Sequence, residues 1–226
     1  MKQTIRRGAI GVATALASLA FATSAHAESF YPPPGGSEFN SGAQGWFDQE
    51  RTCTLIILPS TLCSVENVYD GANGISPSGN SLVPGSLRTN FTALVLLLNT
   101  VRGTGTWESP QFVVNEPNPS EVHFRVDRRA QLDALLDVGG TAAVVVRLHD
   151  ATANVATTIF QESLTKDSTA WTQRIVEVPA SLIKTGHRYA FRVITHVNGP
   201  LQALAGKVSV NFDNIVMRVR SATVGT

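Results

Sequence analysis

Seven polar side chains in this sequence alternate with apolar ones in three separate runs. His123, Arg125 and Asp127 alternate with Val122, Phe124 and Val126; Arg192 and His196 oppose Tyr189, Phe191 and Val193; Arg147 and His149 close the run that starts at Thr141. Guanidinium, imidazole and carboxylate groups gathered on one surface can grip hydroxyls or carboxylates. With an exposed aromatic ring beside them they can hold a sugar, stacked through its apolar face and hydrogen-bonded through its hydroxyls. Tyr69, at the edge of the Gly/Ser/Asn-rich stretch 70–86, is the aromatic expected to be most exposed, and Trp46, Trp107 and Trp171 are expected to pack structurally. The plainer account of the charged residues is a solvated sheet face whose charges satisfy one another.

Catalysis has less support. The chain has no G-x-S-x-G elbow and no H-E-x-x-H pair, and its acids, which a glycosidase must set across a cleft, are sparse and mostly fall in turns or beside arginine. The chain is expected not to be an enzyme.

One acid stands out by its setting. In KVSVNFDNIVMRV, Val208, Val210 and Phe212 share a face, but Ile215, Met217 and Val219 fall on the other, so a β-bulge is predicted near Asp213. An acid there can catalyse, hold a metal, or bond backbone amides or a nearby arginine.

The elements that position these residues follow from period-two alternation. Strands are predicted at 121–127 and 189–197, and further ones at 46–57, 86–100, 106–115, 141–148, 155–162, 171–178 and 207–219. The stretches between them carry the Gly, Pro, Asn and Ser that turns require. Residues 128–137 hint at a helix, or else at a strand end and loop. Many strands and almost no helix predict an all-β fold, a two-sheet antiparallel β-sandwich of jelly-roll type.

The first 27 residues carry Lys2, Arg6 and Arg7, an apolar small-residue run and Ala25-His26-Ala27, the layout of a signal peptide cut after Ala27. Its removal changes the formal charge from +1 to about −2, which gives no electrostatic reason to expect nucleic acid or an anionic membrane as partner. No other apolar run is long enough for a membrane helix. The expectation is a protein released outside the cell. Cys53 and Cys63 then read as one structural disulfide. Residues 28–36, ESFYPPPGG, read as a Pro/Gly spacer, 37–221 as the folded domain and 222–226 as a tail.

The ordered segments EFNSGAQGW (38–46), GSLR (85–88), GTWESPQFVV (105–114), WTQRIVEVPASLIKTGHRYAFRV (171–193) and VSVNFDNIVMRV (208–219) together resemble the galactose-binding-like β-sandwich, which includes many carbohydrate-binding modules. The resemblance implies a non-catalytic binding domain for a cell-wall or environmental polysaccharide or cell-surface glycan. It also implies a structural calcium where the first and last strands meet, with Asp213 as the acid and Asn40 standing where many relatives have Glu. The alternatives are an extracellular structural or adhesive protein with a protein or cell-surface partner and, third, a hydrolase without a recognisable motif.

Overall fold

The structure is a computed structural model that describes residues 28–33, 36, 38–55, 63–75, 85–93, 99–132, 140–165, 168–201 and 206–222. The predicted signal peptide lies outside them, as do all but Ala222 of the tail and residues 133–137 of the helix-or-loop stretch.

Among the described residues, twelve strands form two antiparallel sheets. They are β1 (Glu28–Tyr31), β2 (Phe47–Leu55), β3 (Cys63–Asp70), β4 (Ser86–Ala93), β5 (Asn99–Glu108), β6 (Phe112–Val113), β7 (Pro119–Gln131), β8 (Thr141–Asp150), β9 (Val155–Leu164), β10 (Ser168–Glu177), β11 (Arg188–Leu201) and β12 (Gly206–Ser221). Sheet A has the order β10-β7-β12-β4-β3, with β1 also on β12, and sheet B the order β2-β5-β11-β8-β9, with β6 also on β11. The expected sandwich is therefore present. Among the described residues the one helical element is a 3-10 turn at Ala180–Leu182, and no helix is long and apolar enough to cross a membrane.

Alternation does the sorting. In β7, Val122, Phe124 and Val126 are buried while Glu121, His123 and Arg125 reach partly into solvent, as a strand with one wet face requires. The inward residues meet in one core. Phe124 and Phe191 carry the contact between the sheets, their ring centroids 5.4 Å apart, and Phe112 lies 5.2 Å from Phe191. Gly103 and Gly105 let β5 approach sheet A, because a Cβ there would come within 2.6 Å of Phe91 and 2.5 Å of Thr89.

The two edges of the sandwich are joined by different chemistry. Cys53 on β2 and Cys63 on β3 form the predicted disulfide, with Cα atoms 5.9 Å apart. At the other edge Glu162 of β9 takes Arg128 of β7 at 2.5 Å and Arg174 of β10 at 2.6 Å. Burial opposes ionisation of Glu162, but the two guanidiniums outweigh it and hold the carboxyl below its ordinary range.

Two expectations need correction. Residues 28–31 are not spacer: they form β1, which pairs with Met217–Arg220, buries Tyr31 against Phe112 and bonds the Tyr31 hydroxyl to Glu116. The apolar register of β12 has room for this added strand beyond the end of β4, a pairing that local pattern cannot reveal. The stretch 106–115 is two strands, divided at Ser109-Pro110 because proline gives no ladder N–H. Residues 128–131 are the end of β7, the strand-end alternative for 128–137, with Arg128 turned inward to Glu162. The strand β3 was not foreseen. The predicted bulge is present: register shifts between Asp213 and Val216, and Asn214 takes φ +48°, a conformation asparagine tolerates.

Candidate functional site

The seven alternating polar residues do not share one surface. Strands β7 and β12 belong to sheet A, so His123, Arg125 and Asp127 face outward there. Strands β8 and β11 neighbour each other in sheet B and carry Arg147, His149, Arg192 and His196 on the opposite side of the molecule.

The outer face of sheet A is hollowed. A groove of about 330 Å³ is lined by Phe30, His123, Arg125, Ile175, Val216 and Arg218. Cross-strand register builds it: Ile175 on β10 and Val216 on β12 both stand opposite Arg125, and Arg218 stands between His123 and Phe30. Phe30 is 45% exposed and Ile175 58%, so an aromatic ring and a branched apolar chain are open to solvent beside three cationic or polar groups.

Those groups are held in place. Arg125 donates to Asp127 at 2.7 Å, and the Gln173 side-chain amide lies against the same guanidinium; assigned with its oxygen towards Arg125, it accepts from Nε and Nη2 at 2.9 and 3.0 Å. Arg218 reaches Glu121 at 2.8 Å, His123 Nδ1 at 3.0 Å and Glu28 at 3.3 Å. The cations therefore meet acids at each end of the groove, and the surface offers hydrogen-bond donors with little uncompensated charge.

Next to the groove lies a buried carboxyl pair. Asp213 and Asp127 are register partners on β12 and β7, and both are almost wholly buried although they point to the outer side. The residues after β3 cover them: Ile75 N–H donates to Asp213 Oδ2 at 2.6 Å and Asn214 N–H to Oδ1 at 2.8 Å, while the Asn214 amide donates to Asp127 at 2.9 Å. Burial pushes the Asp213 carboxyl up to about 7; the two amides oppose this, and the neighbouring Asp127 adds to it. Asp70 fixes the same cover through Asn73, Arg88 and Asn211, and is held below its ordinary range because these partners and the Ala72 amide outweigh desolvation.

This setting does not fit the calcium implied by the resemblance. Both Asp213 oxygens face N–H donors, the Asn40 amide donates to Glu38 at 3.4 Å, and among the described residues no three Asp, Glu, His or Cys side chains group as metal ligands.

The outer face of sheet B is of another kind. Arg192 stands opposite Arg147 and is neutralised from the other side by Glu108 at 2.6 Å. His196 shares a hydrogen bond with Thr104 at 3.0 Å, and burial followed by Arg147 pushes its pKa down against the opposing pull of Glu50. His149 stands opposite Ala190, with its Nδ1 buried. Exposed Phe47 sits at the margin, on edge strand β2.

Tyr69 is not the open aromatic. Its ring packs against the core and its hydroxyl donates to the Phe39 carbonyl at 2.9 Å. Trp46 and Trp107 are buried as expected, whereas Trp171 is partly exposed with the Arg129 guanidinium 5.8 Å from its ring centre. The sequence reading missed Phe30, Ile175, Val216 and Arg218; the continued alternation Val216-Met217-Arg218 past the bulge was the one signal available for the last two.

No protein-family model matches the sequence, and no curated protein is similar to it. Among solved structures, the chain is similar in fold to several carbohydrate-binding modules. One, from work on the promiscuous specificity of the β-sandwich superfamily, is 12% identical with a TM-score of 0.41 over 79% of this chain and 59% of that one. A second, the CBM22-1–GH10 modules of the Clostridium thermocellum endo-1,4-β-D-xylanase 10B complexed with xylohexaose, is 11% identical with a TM-score of 0.42 over 81% of this chain and 28% of that one. A third, specific for non-crystalline cellulose, is 14% identical with a TM-score of 0.42 over 83% and 93%.

Proposed function

We propose that this protein is a secreted, non-catalytic glycan-binding module and that the groove on the outer face of sheet A is its binding surface. The observation that carries the reading is the groove's composition: an exposed aromatic ring, Phe30, with Ile175 and Val216 beside it and the N–H donors of Arg125 and Arg218 around it. A pyranose needs this combination, an apolar platform for its C–H face and fixed donors for its ring-edge hydroxyls. Preorganisation supports it further, because the acids that hold both arginines fix the donors before a ligand arrives. The carboxyls beside the groove are taken up by its arginines: buried Asp127 by Arg125, and Glu121 and Glu28 by Arg218.

The test is a pull-down of the mature protein on insoluble cellulose, xylan, galactan and whole cell walls, with Phe30→Ala as the control variant. Retention on at least one glycan, lost in the variant, is expected. Retention on none, or equal retention of wild type and variant, contradicts the reading. The secretion part is checked separately by N-terminal sequencing of protein from the medium, which should begin at Glu28.

A further inference from the structure

The groove occupies only part of an open band on sheet A. Among the described residues, 71–75 and the side chains of Asp70, Arg88 and Asn211 cover the region around Asp213, leaving uncovered the outer flank formed by β10 and β7. On that flank Gln173 and Ile175 are exposed at alternate positions of β10, and Trp171 precedes them inside a register shift between Ser168 and Thr172, where its contact with Arg129 sets it on the same outer side.

Trp171 is the one tryptophan of three that is not buried. Its strand is the edge of the sheet, so one side of the residue has no neighbouring strand. Arg129, which alternates with Asp127 and Arg125 on the outer side of β7, sets its guanidinium 5.8 Å from the indole centre. A guanidinium against one face of the ring fixes its orientation, and the indole is only half-buried, so part of its surface is open to a stacking partner. Trp171 lies about 13 Å from Ile175 along the strand, at ~3.3 Å per residue, a separation longer than one sugar ring.

We infer that Trp171, backed by Arg129, is a second stacking subsite, so that the protein grips an extended uncharged glycan chain along β10 and β7. The inference rests on the groove reading above and names its substrate class. Lack of charge in the ligand follows from the pairing already described: Arg125 meets Asp127, and Arg218 meets Glu121 and Glu28. An acidic chain would have to compete with these carboxylates for their guanidiniums.

The experiment titrates wild type, Trp171→Ala and Phe30→Ala with short and long cello-, xylo- and galacto-oligosaccharides, read by calorimetry and by tryptophan emission. Wild-type affinity should rise with chain length, and emission should change only when the long ligand binds. Trp171→Ala should lose about tenfold in affinity for the long ligand and none for the short one. If Phe30→Ala abolishes binding but Trp171→Ala matches wild type at every length, the subsite is overturned and the groove reading stands. If neither variant changes binding, or no ligand binds, both fall. Trp171→Phe keeps a stacking ring and should restore the length dependence; failure to do so while the variant remains folded also overturns the subsite.

Discussion

The two outer faces of this sandwich start from the same sequence pattern and end as different surfaces. Both present alternating polar residues, and on both the arginines meet acids: Arg125 and Arg218 on sheet A, Arg192 on sheet B. The difference comes from chain laid over the sheets. On sheet A, β1 adds Phe30 beside Arg218, and residues 71–75 bury Asp213, so relief is created between them. On sheet B the row Thr104, His196 and Ala143 has small side chains and a histidine whose bond lies within the sheet. A binding surface here is thus made by what covers or flanks a sheet as much as by its own wet face.

The comparison breaks most visibly with pH. Asp213, under the cover of sheet A, has its carboxyl raised from 3.8 to about 7 in the folded protein. A raised acid stabilises the folded state only while protonated, so its contribution is complete below about pH 4 and is lost as pH rises to about 7. The full loss is about 4 kcal/mol at ~1.4 kcal/mol per unit. Glu162 has the opposite sign: its depressed carboxyl contributes stability above its ordinary range that is lost as pH falls through the folded value. Denaturant unfolding across mildly acid to neutral pH should show stability falling towards neutrality, and Asp213→Asn should flatten that slope. A slope unchanged by the substitution would sink the assignment.

The next effect in size is on binding. Phe30→Ala should weaken glycan binding by about tenfold or more, whereas Phe47→Ala, the exposed aromatic at the margin of sheet B, should leave it within about twofold. Equal losses in paired affinity measurements would erase the distinction between the faces. Smaller still, His196→Gln should shift stability by about 0.5 kcal/mol or less in thermal melts, since its visible partner is a single threonine hydroxyl. A chelator should leave the melting temperature unchanged, because the Asp213 oxygens are already taken by N–H donors; a clear drop would restore the calcium proposal.

Much of the fold was legible in the sequence because alternation is local. The strands at 121–127 and 189–197, the change of face around Asp213 and the Cys53–Cys63 pair could each be read within a short window. What joins distant segments was not legible. Whether His123 and Arg192 share a face depends on which strands neighbour which, and β1 pairs with a strand at the far end of the chain. Pro32 and Pro33 masked the first strand, since proline argues against a sheet although the four residues before it are free to pair. Tyr69 misled for a related reason: it borders a turn-rich stretch, but the carbonyl that holds its hydroxyl belongs to Phe39, thirty residues away.

The most direct measurement is a chemical-shift map of the isotope-labelled protein titrated with a glycan that it retains. Perturbations should centre on Phe30, His123, Arg125, Ile175, Val216 and Arg218 and extend towards Trp171 with longer chains. Perturbations centred on Arg147, His149, Arg192 and His196 would move the site to the opposite face and contradict the groove reading.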